Sequence, residues 1–324
     1  MHHDDINDIE LDCNRSATVT RNASQDRKIE VVRIVNEAAP SVEKLRITLL
    51  VEDSVSMEKP DLIAKHGLSF LLGASVAGTI SRILVDAGPP PDIALQNADV
   101  INTDMREVDV IVISHGHYDH AGGLLKILER VGRPVPIVTH PRVFSPKFVC
   151  KPSLRFIGLE FNQPSIESAK GVLLLARNSV KILDGVVTSG EIARETTFEK
   201  AVGFWTVEDE RFIEDQIIDD QALFVNVKDK GLVVITGCAH SGIVNTVKHA
   251  QKITGINNVY AIVGGFHLAK SNDRRIQASI DELSRVNPKS IHPCHCTGFK
   301  AIHRLAEVFK DRCKPIQTGD TIEL

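Results

Sequence analysis

The sequence predicts an α/β fold, and three observations carry that prediction. Short Val- and Ile-rich runs such as Val108–Ile113 and Leu232–Ile235 end in glycine-bearing turns that open into helix-like segments. Between one such run and the helix expected over Leu124–Arg130 stands Ser114-His115-Gly116-His117-Tyr118-Asp119-His120-Ala121-Gly122-Gly123. The same order of strand, glycine turn and helix returns at Gly237-Cys238-Ala239-His240-Ser241-Gly242, and two further β-like runs deliver His267 and His295. Imidazole and carboxylate donors together suit zinc, iron or manganese, and two adjacent sets can hold two ions. An H-x-H-x-D-H string fixed at a strand end reads as a metal site rather than a surface histidine cluster.

With 324 residues, 43% hydrophobic and 25% charged, the composition is that of an ordinary globular chain. The length allows two domains, but large α/β units often run this long as one. A net charge of −4 argues against a general nucleic-acid binder. Val31–Val35 and Val172–Ala176 are too short to span a membrane. The start, Met1-His2-His3-Asp4-Asp5, lacks the basic and apolar parts of a signal peptide, so a cytoplasmic setting is expected. Six irregularly spaced cysteines make no disulfide framework. Without a secretion signal, the acceptor-like strings at Asn14 and Asn22 read as chance.

In chain order, residues 1–28 are polar and without apolar periodicity, which predicts a disordered tail, His2 and His3 included. A single domain is expected over 29–324, with Leu45–Val51 as its first core strand and Glu52-Asp53-Ser54 as a polar loop. His66 opens a loop entering the strand at Ser69–Leu72, where it reads as structural or cleft-facing. Ile80–Val85 is a strand closed by the turn Asp86-Ala87-Gly88, then come Pro89-Pro90-Pro91 and a helix. After the histidine motif, Pro134–Thr139 forms a strand ending at His140, which reads as structural or substrate-facing. Residues 144–218 alternate short β-like runs with polar turns, and Arg142, Lys147 and Lys151 near their start are either contacts for a substrate phosphate or merely solvated.

From Asp219 the pattern sharpens. Ala222–Val227 and Leu232–Ile235 pair through the turn Lys228-Asp229-Lys230-Gly231, and a helix follows over Ile243–Ile253. Val259–Val263 leads to Gly264-Gly265-Phe266-His267, and a helix over Arg274–Val286 precedes the last expected strand. That strand leads to His292-Pro293-Cys294-His295-Cys296-Thr297-Gly298, and a closing helix runs over Phe299–Lys310. Strand ends on one face of an α/β unit converge, so His240 and His295 are expected to join His115, His117, Asp119 and His120 as metal ligands. His267 is expected either to contact substrate, as general acid or leaving-group donor, or to stand behind the ligands, while Asp119 binds metal and orients the nucleophile. The helix starts after Ser241-Gly242 and Thr297-Gly298 offer N–H groups to a substrate phosphate or carboxylate. Cys294-His295-Cys296 lacks a second cysteine pair nearby in sequence and makes no zinc knuckle.

The motif at 114–123 resembles the signature of the metallo-β-lactamase superfamily. Four more strings extend the likeness: Ile83-Leu84-Val85-Asp86-Ala87-Gly88, Thr236–Gly242, Gly264-Gly265-Phe266-His267-Leu268 and Pro293–Gly298. Within the superfamily, the chain looks similar to the dihydropterin-methyl-ribofuranosylaminobenzene-phosphate synthases. The resemblance implies a four-layer αβ/βα sandwich in which 144–218 covers the cleft. It implies that Asp86 braces the metal loop from behind and that Asp53 lies near the rim, unless Asp53 is only a turn residue. It also sets Cys238 where many members place a metal-bridging aspartate, as either a thiolate ligand or a small buried residue, with Asp220 as a replacement carboxylate.

The chemistry expected is that of one or two divalent transition-metal ions, zinc first, with iron or manganese as alternatives. A bound ion lowers the pKa of its water from about 15.7 towards about 7, which suits a hydrolase of a small ester, lactone or phosphodiester, with a phosphorylated substrate in view. No G-x-S-x-G string points to a covalent serine route. The resemblance offers a transferase instead, in which an arylamine ribose phosphate displaces pyrophosphate from a dihydropterin. A non-catalytic metal-binding or redox member is the third reading, but the chain carries no recognisable flavin or iron–sulfur module.

Overall fold

The computed structural model describes residues 39–324, which form one unit. The expected tail over 1–28, the domain start at Ile29, His2, His3, Asn14 and Asn22 lie outside the described residues.

Alternation within the strands builds the layers. In β1 (Lys44–Val51), Leu45, Ile47 and Leu49 face the central core, while Leu50 and Val51 face outward beyond an irregularity in register. β2 (Ser69–Val76) and β3 (Thr79–Val85) continue antiparallel, and β4 (Val110–Val112) and β5 (Val135–Thr139) add in parallel. Helix α1 (Ile93–Val100) and a short turn of helix, α2 (Tyr118–Ala121), lie among these strands in sequence. In α3 (Leu124–Val131), Leu124, Ile127, Leu128 and Val131 recur at helical spacing and bury one apolar stripe against the outer face of the sheet.

The segment 144–218 divides among three sheets. β6 (Phe148–Val149) and β7 (Arg155–Phe156) pair with each other, and helix α4 (Gln163–Ser168) follows. β8 (Gly171–Leu175) then extends the first sheet beside β5. β9 (Lys181–Leu183) and β10 (Val186–Thr188) form the edge of a second sheet. β11 (Phe204–Glu208) and β12 (Arg211–Glu214) complete a four-stranded sheet with β6 and β7. Only this small sheet stands apart as a cover.

The second sheet continues with β13 (Ala222–Val227), β14 (Gly231–Thr236), β15 (Val259–Gly265) and β16 (Ser290–Cys294), in the order β16-β15-β14-β13-β10-β9. Leu223, Val225 and Val227 of β13 face the central core, while Ala222 and Phe224 face the helices. Those helices are α5 (Ile243–Thr254), α6 (Asp273–Val286) and α7 (Phe299–Phe309), whose apolar faces form one cluster with the sheet. β16 is not the last strand: β17 (Thr321–Glu323) returns to pair with β1, giving the first sheet the order β17-β1-β2-β3-β4-β5-β8. Helices, sheet, sheet and helices are thus the four layers of an αβ/βα sandwich. Among the described residues no helix is long and apolar enough to cross a membrane.

Candidate metal centre

Just past the end of β4, the backbone at Ser114 is held from below by Asp86. This fully buried carboxylate, at the end of β3, accepts from Ser114 N (2.7 Å) and Ser114 Oγ (2.8 Å) and meets His120 Nδ1 at 2.6 Å. The Ser114 hydroxyl donates to Asp86, so it accepts from His115 Nδ1 at 2.8 Å. Both bonds fix a tautomer with the proton on Nδ1, leaving Nε2 of His115 and of His120 as lone-pair donors. A Cβ on Gly237 would lie 2.2 Å from Ser114 Oγ, so only glycine lets the turn after β14 approach this brace. Asp219 Oδ2 accepts from Gly116 N, between the first two histidines.

The second sheet supplies the opposite side. His240, after β14, is buried and neither ring nitrogen has a hydrogen-bond partner among the described residues. Its ring lies 4.7 Å from that of His115 and 4.9 Å from that of His117, whose Nε2 is also buried without a partner. The ligand atoms of His115, His117 and His240 lie within 4.8 Å of one another. His295, after β16, holds Asp53 Oδ1 through Nδ1 at 2.6 Å and turns Nε2 to within 3.3 Å of His120 Nε2. Cys238 Sγ lies 3.1 Å from His120 Nε2. Asp119 Oδ2 stands 3.6 Å from His295 Nε2, 3.8 Å from His120 Nε2 and 3.3 Å from His66 Nε2.

The electrostatics match the donor set. Burial, reinforced by neighbouring imidazoles, pushes His115 and His240 well below the usual histidine range, and burial does the same to His117, so all three are neutral donors. Burial opposes a charge on His120, but Asp86 and Asp119 outweigh it and push its pKa up to about 9, so His120 gives up its Nε2 proton when it takes an ion. Burial also opposes ionisation of Asp119, yet His120, His295, His117 and His66 hold it below the usual carboxylate range. Buried polar atoms normally have partners, and each one left without costs about 1–3 kcal/mol. Orphaned nitrogens facing one another across a few ångströms fit a cation bound by imidazole, carboxylate and sulfur.

The structure brings His115, His117, Asp119, His120, His240 and His295 together, as the sequence leads one to expect. His267 sits beside them, with its ring 4.2 Å from that of His240 and a buried Nδ1 without a partner. Asp53 is more than a turn residue, because it bonds His295 and His66. Asp220 is fully buried, its Oδ2 accepts from Ser241 N, and burial pushes its pKa up to about 6.

Other expected contacts are engaged elsewhere. The helix start at Ser241–Gly242 is already filled, since Glu199 accepts from Val244 N and Asn245 N at 2.9 Å each. Thr297 is fully buried, donating to Cys294 O and accepting from Phe266 N. Gly298, packed against Ala269, opens α7, and no side chain caps that helix start. Lys147 is neither solvated nor open to a substrate phosphate: it is buried between Asp219 (2.7 Å) and Asp215 (3.1 Å). Arg142 pairs with Glu208. His140 is fully buried, bonded to Glu191 and to Arg142 N, so its role is structural.

Sequence reasoning missed Phe204. Its ring, on β11 of the small sheet, stacks 5.3 Å from His117 and lies 4.9 Å from His240 and 5.7 Å from His267. The small sheet therefore roofs the centre. A lone phenylalanine in an irregular stretch carries no local signal of that role.

Comparison with known proteins agrees with the geometry. The family model described as the metallo-beta-lactamase superfamily matches residues 68–244. The chain is 35% identical over 288 residues to a 7,8-dihydropterin-6-methyl-4-(beta-D-ribofuranosyl)-aminobenzene-5'-phosphate synthase of Methanocaldococcus jannaschii, covering 87% of this chain and 97% of the relative. An uncharacterized protein of that organism is 32% identical over 262 residues, covering 81% of this chain and 94% of its own. A solved metal-dependent hydrolase of the beta-lactamase superfamily superposes with a TM-score of 0.71 at 27% identity, covering 86% of this chain and 99% of that one. Zinc-bound PqqB from Methylobacterium extorquens shares the fold with a TM-score of 0.52 at 12% identity, covering 86% of this chain and 100% of its own.

Proposed function

The chain belongs to the metallo-beta-lactamase superfamily, and from that premise we propose that it is a metal-dependent hydrolase of a small ester, lactone or phosphodiester. The observation that carries the reading is His240, buried with both ring nitrogens unpartnered and facing His115 and His117. When bound, one or two divalent ions, zinc by this donor set with iron or manganese as alternatives, would supply a water of lowered pKa and positive charge at the leaving oxygen.

The chain's own groups do the rest. Asp119, whose Oδ2 is 3.3 Å from His66 Nε2, would help hold the ion and orients the nucleophile as an ionised carboxylate. His267, with its ring 4.2 Å from that of His240, donates a proton to the leaving group. Phe204 keeps bulk water from the face of His117. The partner is a small molecule, possible phosphate group included, rather than nucleic acid or membrane, which the net charge of −4 supports. The five described cysteines are all free, which supports a reducing, cytoplasmic setting.

A second reading is favoured by one observation, the 35% identity that extends over 97% of the synthase. In that reading the same site joins a dihydropterin pyrophosphate to a ribofuranosylaminobenzene phosphate, with an arylamine nitrogen in place of water. Zinc-loaded protein offered a panel of esters, lactones and phosphodiesters, and separately those two coupling substrates, tests both. Hydrolysis without coupling supports the first reading and coupling without hydrolysis replaces it. Tight metal binding with neither reaction leaves a non-catalytic member.

A further inference from the structure

A cleft of about 480 Å³ opens on the back of the ligand loop. Tyr118, Gly122 and Leu125 line one wall. Gly122 and Gly123 keep helical backbone between α2 and α3, so these three, at i, i+4 and i+7, share one helix face. His120 lies on the opposite face. The other wall runs on from β7 and includes Arg155, Phe156 and Phe161. Tyr118 N donates to Ile157 O at 2.9 Å and Ile157 N to Lys147 O at 2.8 Å, which fixes this wall to the ligand loop. Phe156 is exposed, yet the Phe148 ring meets it edge-on at 5.5 Å and holds it in place. A Cβ on Gly158 would lie 2.8 Å from Phe156 Cζ, so glycine there lets that ring close over the segment.

Small-molecule sites run to about 300–1,000 Å³ and are mostly apolar, with a few convergent polar groups. Here the rings of Tyr118, Phe156 and Phe161 offer faces and edges to a flat ring. The Arg155 guanidinium and the Tyr118 hydroxyl form no hydrogen bond or ion pair among the described residues. A free guanidinium takes an oxyanion and also stacks on a ring, while a phenol donates one hydrogen bond. Glu160, exposed in the same lining, adds a negative charge that disfavours a polyanion. We propose that this cleft binds a flat aromatic molecule bearing a single carboxylate- or sulfonate-like charge, its ring between Tyr118 and Phe156 and its charge on Arg155. None of the lining residues is a metal donor, so the site stands or falls apart from the metal-dependent reading.

The test titrates zinc-loaded full-length protein by calorimetry with 2-naphthalenesulfonate, 2-naphthalenemethanol and sulfate, which offer ring with charge, ring alone and charge alone. The sulfonate should bind at least about ten-fold more tightly than either partial probe. Arg155→Met should weaken the sulfonate about ten-fold and leave the neutral alcohol unchanged. Leu125→Trp, which fills the cleft from its helix wall, should weaken both, with zinc content unchanged in both variants. No sulfonate binding at millimolar concentration overturns the proposal, and so does sulfate binding as tightly as the sulfonate. Sulfonate binding unmoved by Arg155→Met also overturns it, since the probe then sits elsewhere, the metal centre included. Arg155 is exposed, so this variant decides even where Leu125→Trp fails to fold.

Discussion

The two sides of the metal centre are built differently. On the first-sheet side, Asp86 and Ser114 brace His115 and His120 through their Nδ1 atoms, so their imidazoles are oriented before any ion arrives. On the second-sheet side, His240 has no partner on either nitrogen and His267 none on Nδ1, and only His295 is tied back, by Asp53. The first side is preorganised by protein hydrogen bonds except at His117 Nε2, and the other waits for the ion at His240 and His267. Each unpartnered buried nitrogen costs about 1–3 kcal/mol, so the second side, with both nitrogens of His240 and Nδ1 of His267 left over among the described residues, stores a larger deficit than the first, with Nε2 of His117.

The largest expected effect falls on the waiting side. His240→Ala and His295→Ala should each weaken zinc binding by more than about 100-fold, beyond the range typical of residues that only orient a ligand. His303, exposed on α7 and 3.6 Å from Glu307, is the control, and His303→Ala should bind zinc unchanged. Chelator competition measures all three, and equal affinities would remove His240 and His295 from the ligand set. Next comes the brace. Asp86→Asn keeps the size of the side chain but cannot accept from Ser114 and His120 as before, so zinc affinity should fall about 10–100-fold. A fall as large as that of His240→Ala would erase the distinction between orienting and ligating groups.

Metal removal separates the two sides without mutation. Amide exchange in the stripped protein should rise at least about ten-fold more over 238–242 than over 114–120, because both ring nitrogens of His240 are left without a partner in the former, whereas in the latter His117 Nε2 is left over beside the braced His115 and His120. Equal rises in both turns would show that Asp86 does not hold the first loop in place on its own.

The contrast also explains what the sequence disclosed. The ordering of strand, glycine turn and helix is local chemistry, and it placed β13 at Ala222–Val227 and the start of α5 at Ile243, as found. The ligands were legible because each stands within three residues of a glycine in the turn after a strand. The partners of those ligands were not, because they come from far along the chain. Asp53 meets His295 across 242 positions, and Glu199 caps α5 from 45 positions away, where the bare helix start read as an anion site. Cys238 and Cys296 meet only in space, across 58 positions, which the string Cys294-His295-Cys296 does not disclose. β17 is a three-residue edge strand after a helix, too short to carry its own periodicity.

A buried histidine that is not a ligand gives the finest division of the second side. His292 lies on β16 three residues before His295, with Nδ1 3.2 Å from Lys314 O and Nε2 3.0 Å from Ser290 Oγ. Burial pushes its pKa down from 6.5 to about 4. The unfolded chain therefore binds a proton between these values that the folded chain refuses. The stability His292 contributes is fully present above about pH 6.5 and is lost as the pH falls towards about 4. By pH 5.5 the loss should reach about 1 kcal/mol. Urea unfolding of metal-free protein, native against His292→Gln, isolates this slope from the protonation of the metal ligands, since both proteins share the latter. A slope that persists unchanged in His292→Gln would assign the acid sensitivity to the buried neutral imidazoles of His115, His117 and His240 instead, and His292 would no longer stand as the satisfied counterpart of the waiting ligands.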